Sequence, residues 1–122
     1  MSSEFTLRTV TDYLALPELE IPVVCGEELP GLICRVLGID FYIAPKADCQ
    51  ARGLEALEIP DVDRCALPTA VVELGDEVFF FRLPQSLAPW VFDIMKSGEA
   101  ERFFPASIDF GIRCDEHYAK FL

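Results

Sequence analysis

The sequence predicts an α+β fold, a small β-rich N-terminal domain over residues 1–83 followed by a short α-helical segment over residues 84–122. Three observations carry this prediction. Runs of branched and aromatic residues, punctuated by Pro and Gly, fill the first two thirds of the chain, as short strands do. The clearest helical spacing begins only after Pro84. With 52% hydrophobic residues in 122, the chain can bury a core despite a net charge of −11.

Thr9 or Thr11 can cap a helical turn through Tyr13, Leu14 and Leu16, which Pro17 stops. Ile21–Cys25, Leu32–Leu37 and Ile39–Ala44 read as three strands separated by Gly26, Pro30-Gly31 and Gly38. Between Pro45 and Leu67 the pattern loosens. Asp61 and Asp63 after Pro60 suit the first turn of a short helix over 60–67, where carboxylates meet the positive end of the dipole. Val71–Leu74 and Val78–Leu83 flank Gly75-Asp76-Glu77 and predict a hairpin with a three-residue loop. Its run Phe79-Phe80-Phe81 requires cover on both faces, since a strand with one wet face would alternate.

Ser86 can cap the next helix, with Leu87, Trp90, Val91, Ile94 and Met95 as its apolar stripe and Gly98 as its stop. A last helix from about Ile108 would place Cys114, Tyr118, Phe121 and Leu122 on one face. The best domain boundary falls just after Leu83.

Charge and cysteines narrow the function classes. The ten Lys and Arg residues are scattered singly, which counts against unaided nucleic-acid binding. Five cysteines without a C-x-x-C pair signal neither a disulfide framework nor a zinc ribbon, and suit a reducing compartment. Acidic Glu4 and the lack of an early apolar run argue against a secretory signal.

No constellation pairs a nucleophile with its base. Cys114-Asp115-Glu116-His117 groups a thiol, carboxylates and the sole imidazole, but supplies two zinc ligands at most. Asp61 and Asp63, two apart on a helix, would point to different faces. Gly26, Gly31 and Gly38 build no phosphate loop. The sequence therefore predicts no enzyme, no cofactor and no metal. What stands out is an aromatic concentration in the final third, Trp90, Phe92, Phe103, Phe104, Tyr118 and Phe121, more than one or two helices can bury among themselves. These six are the candidate partner interface.

The proline anchors add a resemblance. Thr9-Val10-Thr11-Asp12-Tyr13-Leu14 leads to Ile21-Pro22 and then Pro30-Gly31-Leu32. Leu57-Glu58-Ile59-Pro60, Leu83-Pro84-Gln85-Ser86-Leu87, and Pro105 with Gly111 follow. In order and spacing this set resembles the third subunit of the eukaryotic GINS replication complex, with Asp61-Val62-Asp63-Arg64 where the family carries a tryptophan helix. The resemblance implies a non-catalytic subunit, with residues 1–83 similar to the family's β-rich domain and 84–122 to the start of its helical domain. It also implies sister subunits in a hetero-oligomer, the MCM helicase and its RecJ-like cofactor as partners, and a nuclear location. The alternative, resting on charge alone, is a small acidic cytoplasmic inhibitor or nucleic-acid mimic that blocks a basic site on its target.

Overall fold

The computed structural model describes residues 15–26 and 29–122. The fold is α+β and mostly β. Six strands form one antiparallel sheet: β1 (Leu32–Pro45), β2 (Leu57–Glu58), β3 (Arg64–Leu74), β4 (Glu77–Arg82), β5 (Ala106–Arg113) and β6 (Glu116–Phe121). Among the described residues three short helices join them: α1 (Lys46–Ala51), α2 (Ala88–Lys96) and α3 (Ala100–Phe103), with a 3-10 turn over Gln85–Leu87 leading into α2. β3 lies between β1 on one edge and β2 and β4 on the other. β1 continues to β5, and β5 to β6.

β1 organises the sheet because it pairs with β3 over Arg35–Pro45 and with β5 over Leu32–Val36. Its register against β3 slips between Val36 and Gly38, leaving Leu37 as an extra residue. Such a bulge exchanges the faces of a strand. Cys34 and Val36 point inward before it, Ile39 and Phe41 after it. The break at Gly38 that predicts two strands is thus an irregularity within one.

The inner face packs Val36, Ala70, Val72, Ile108 and Phe110 against Leu83, Leu87 and Val91, the last from α2. The outer face carries a smaller cluster, Ala44, Cys49, Cys65 and Leu67, which α1 covers through Cys49. Both faces of β3 are therefore buried from Cys65 to Ala70, and its sequence there is apolar for that reason except at Thr69, whose hydroxyl donates to Asp40 O at 3.1 Å. Pro68 in mid-strand fits because the ladder changes there. Its carbonyl accepts the Leu83 N–H at 2.8 Å. It has no N–H to return, so regular pairing with β4 ends at Thr69↔Arg82.

The sheet curls on itself. Arg82 N–H donates to Pro17 O and Leu19 N–H to Arg82 O, both at 2.9 Å. A few residues on, Ile112 N–H donates to Pro22 O at 2.9 Å and Val24 N–H to Ile112 O at 2.8 Å. Residues 17–24 therefore strap the end of β4 to the end of β5. The Arg82 side chain reinforces the strap, with Nε donating to Leu16 O at 2.9 Å.

Several expected elements hold and others are corrected. The β3–β4 hairpin forms, but its loop is two residues, Gly75-Asp76, rather than three, because Glu77 pairs with Leu74 and extends the ladder. Phe79 and Phe81 share one face, their ring centroids 6.2 Å apart, and Phe80 is buried on the other; Phe79 stays 38% exposed near the hairpin end, so the expected cover on both faces is incomplete. α2 has the predicted buried stripe and stops at Gly98, whose N–H donates to Met95 O at 3.2 Å. Ile21–Cys25 is no regular strand but part of the strap.

The helix expected over 60–67 is a turn with Asp61 at φ 66°, followed by β3. Burial on two faces favours extension for Cys65-Ala66-Leu67 over any gain from acids in a first helical turn. The helix expected from Ile108 is the β5–β6 hairpin. Residues 84–122 are thus helical only through Phe103, and the sheet crosses residue 83 by way of β5. The turn expected over Thr9–Leu16 lies outside the described residues except for its last two positions.

Candidate functional site

Four of the six aromatic candidates converge. Phe121, on the edge strand β6, pairs with Ile108 and so stands on the inner face. Its ring centroid lies 6.0 Å from Trp90, 5.7 Å from Phe103 and 5.8 Å from Phe104. Trp90 comes from α2, Phe103 from the end of α3, and Phe104 from the link into β5. The tight end of α2 at Gly98, where φ is 74°, turns the chain so that α3 brings Phe103 against Phe121.

The cluster has a buried side and a wet side. Trp90 meets Phe110 edge to face at 5.9 Å and, like Phe104, packs on the core. Phe103 is 42% exposed, Phe121 37% and the adjoining Leu122 65%. Leu122 stays in register, its N–H donating to Ser107 O at 3.0 Å. The result is a shallow aromatic surface anchored on a rigid core, the composition that interface centres favour.

Phe92 and Tyr118 stand elsewhere. Phe92 is half exposed on another flank of α2, with Lys96 Nζ 5.7 Å from its ring. Tyr118 pairs with Gly111, on the sheet face opposite Phe121. Its hydroxyl donates to the Asp109 carboxylate at 3.3 Å, and Arg113 lies 5.0 Å over its ring. Desolvation pushes the Tyr118 phenol above its ordinary pKa, and the neighbouring Asp109 charge adds to the shift. Asp109, itself buried, also accepts the Gly31 N–H at 2.8 Å. Tyr118 is therefore a clamp between β5, β6 and the start of β1.

Sequence reasoning missed one polar pair. Ser86 does not cap α2: no side-chain hydrogen bond caps either α2 or the 3-10 turn before it. Its Oγ instead lies 2.6 Å from His117 Nδ1, at a cleft of about 550 Å³ that also includes Glu18, Arg82 and Gln85. Residues 31 positions apart meet only because the sheet curls, so no local motif could announce them. Among the described residues no carboxylate hydrogen-bonds the imidazole to complete a catalytic triad, and the pair ties β6 to the turn before α2. Cys114, expected beside His117 on a helix, sits in the hairpin turn at φ 54°. No group of three metal-binding side chains occurs among the described residues.

The architecture defines a small α+β domain, a curled antiparallel sheet with one helix-covered inner face and an aromatic surface at its edge strand. No family model matches this chain, and neither the curated proteins nor the solved structures contain a match.

Proposed function

We propose that this protein is a non-catalytic interaction subunit that docks on a partner through the Trp90, Phe103, Phe104 and Phe121 surface. The observation that carries this reading is the three-ring contact around Phe121, with Phe103, Phe121 and Leu122 left wet beside rings that root in the core. Aromatic anchors with buried roots bind at low entropic cost because their rotamers are already fixed. For the assembly, the order of the proline anchors supports a GINS-like complex, with sister subunits, the MCM helicase and its RecJ-like cofactor as partners.

The test is affinity capture of the full chain from its native source, followed by mass spectrometry and repeated with F103A/F121A. GINS-type sisters recovered with the natural chain and lost with the variant are the expected result. Affinity should fall by about 100-fold or more, two hot-spot aromatics having been truncated. Phe92→Ala, placed away from the surface, should retain the partners. A partner that is basic, released by moderate salt and indifferent to F103A/F121A would overturn this reading in favour of the acidic inhibitor, which the net charge of −11 supports.

A further inference from the structure

We propose that Cys49 and Cys65 form a redox modification site, a buried dithiol that a small peroxide converts to an intramolecular disulfide. Cys49 lies on α1 and Cys65 on β3, and the Cys65 thiol points at Cys49 Sγ from 3.0 Å. Both residues are only 2% exposed, within the outer-face cluster with Ala44 and Leu67. All five cysteines are free, and no other pair is held in thiol contact among the described residues.

Closure to a bond of about 2.05 Å needs an approach of about 1 Å. A six-residue helix lying on the sheet can supply this by a side-chain rotation and a slight settling. Cys34 is not a competitor, because it is buried in the core of the inner face. Cys25 and Cys114 are exposed.

The chemistry balances with hydrogen peroxide as oxidant. One thiol, as thiolate, attacks a peroxide oxygen; the O–O bond breaks, giving a sulfenic acid and, after proton uptake, one water. The second thiol attacks the sulfenic sulfur, the S–O bond breaks, and the hydroxyl leaves with a proton as a second water. Two thiols are oxidised, one peroxide is reduced, and the protein loses two hydrogens.

Burial favours this small oxidant over a bulky disulfide and also sets the rate. Desolvation, with the Cys65 contact adding to it, pushes the Cys49 thiol up to about 11. The thiolate is scarce at neutral pH, and oxidation should quicken about tenfold per pH unit from pH 7 to 9. The bond would close a loop between residues 16 positions apart, pinning α1 and β2 to the sheet and leaving the aromatic surface untouched.

The test uses the full chain with Cys25→Ser and Cys114→Ser, which removes the exposed thiols and leaves both core clusters intact. Native protein is treated with hydrogen peroxide, then denatured, alkylated, digested and weighed. The expected product joins the Cys49 and Cys65 peptides, lacks two hydrogens, and reverts with dithiothreitol. The unfolding midpoint should rise by roughly 10 °C, as a loop of this length predicts. Adding Cys49→Ala should abolish both effects. Full alkylation of Cys49 and Cys65 after peroxide, or a bridge from either to Cys34, would overturn the proposal.

Discussion

Phe110→Ala is expected to lower the unfolding free energy by about 4 kcal/mol, the middle of the range for a buried phenylalanine. Phe110 has no exposed surface. It stands on β5 opposite Leu32 of β1, its ring meets the Trp90 edge, and it shares the inner cluster with Leu83, Leu87 and Val91. Truncation removes the transfer free energy of a benzyl group and leaves a cavity walled by strands on one side and α2 on the other. Neither wall can move inward alone, because β5 is fixed by ladders to both β1 and β6. Small domains have only about 5–15 kcal/mol in total, so a large part of the margin disappears. Urea titration monitored by the single tryptophan would read the shift directly. A loss under about 1.5 kcal/mol would mean that the inner face is not the main core.

Phe121→Ala makes the informative contrast. This ring touches three aromatics yet remains 37% exposed, so its loss should cost about 1 kcal/mol of stability at most while weakening partner binding strongly. Two phenylalanines on adjacent strands thus separate the scaffold from the surface it carries.

That separation was only partly legible in the sequence. The β3–β4 hairpin could be read because Gly75-Asp76 is flanked by long apolar runs, and α2 because its stripe is regular and Gly98 follows. The β5–β6 hairpin was hidden by its turn. Cys114 and Asp115 both adopt positive φ, 54° and 62°, a conformation usually signalled by Asn-Gly or Asp-Gly. Without a glycine, the spacing of Cys114, Tyr118 and Phe121 suited a helix equally well. The alternation of Ile108, Phe110 and Ile112 with Asp109, Gly111 and Arg113 was the competing signal, and burial of Ile108 and Phe110 decides for the strand.

The aromatic surface was legible as composition but not as geometry. Counting rings in the final third identified its members and could not separate Tyr118, which the hairpin register sends to the opposite face. Ser86 and His117, or Cys49 and Cys65, meet only through long-range closure of the sheet and the packing of α1. A single sequence offers no periodicity that reports such contacts.

The prolines and glycines that drew attention as motifs have concrete structural duties, and Gly31 has the strictest. Gly31→Ala is expected to destabilise the protein by about 3 kcal/mol, the upper end of overpacking effects. A methyl group there would collide with the carbonyl of Phe110 and lie 3.0 Å from the Gly111 Cα. All of these neighbours are backbone and cannot rotate away. Relief requires β1 to lift from β5 at the Leu32↔Phe110 pair, which would also stretch the Gly31 N–H bond to the buried Asp109 carboxylate. Asp109 would then keep mainly its longer Tyr118 contact, so the steric effect compounds with lost solvation of a buried charge.

Gly38→Ala supplies the internal control. A methyl group there meets nothing within 4 Å, and the smaller entropy of the unfolded chain should leave stability unchanged or raised by about 0.5 kcal/mol. Denaturation midpoints of the two variants should therefore move apart, although both replace a glycine in or beside the same strand. Equal midpoints would show that the close approach of Gly31 to β5 does not constrain the fold, and the Pro30-Gly31-Leu32 anchor would then need an explanation outside the sheet.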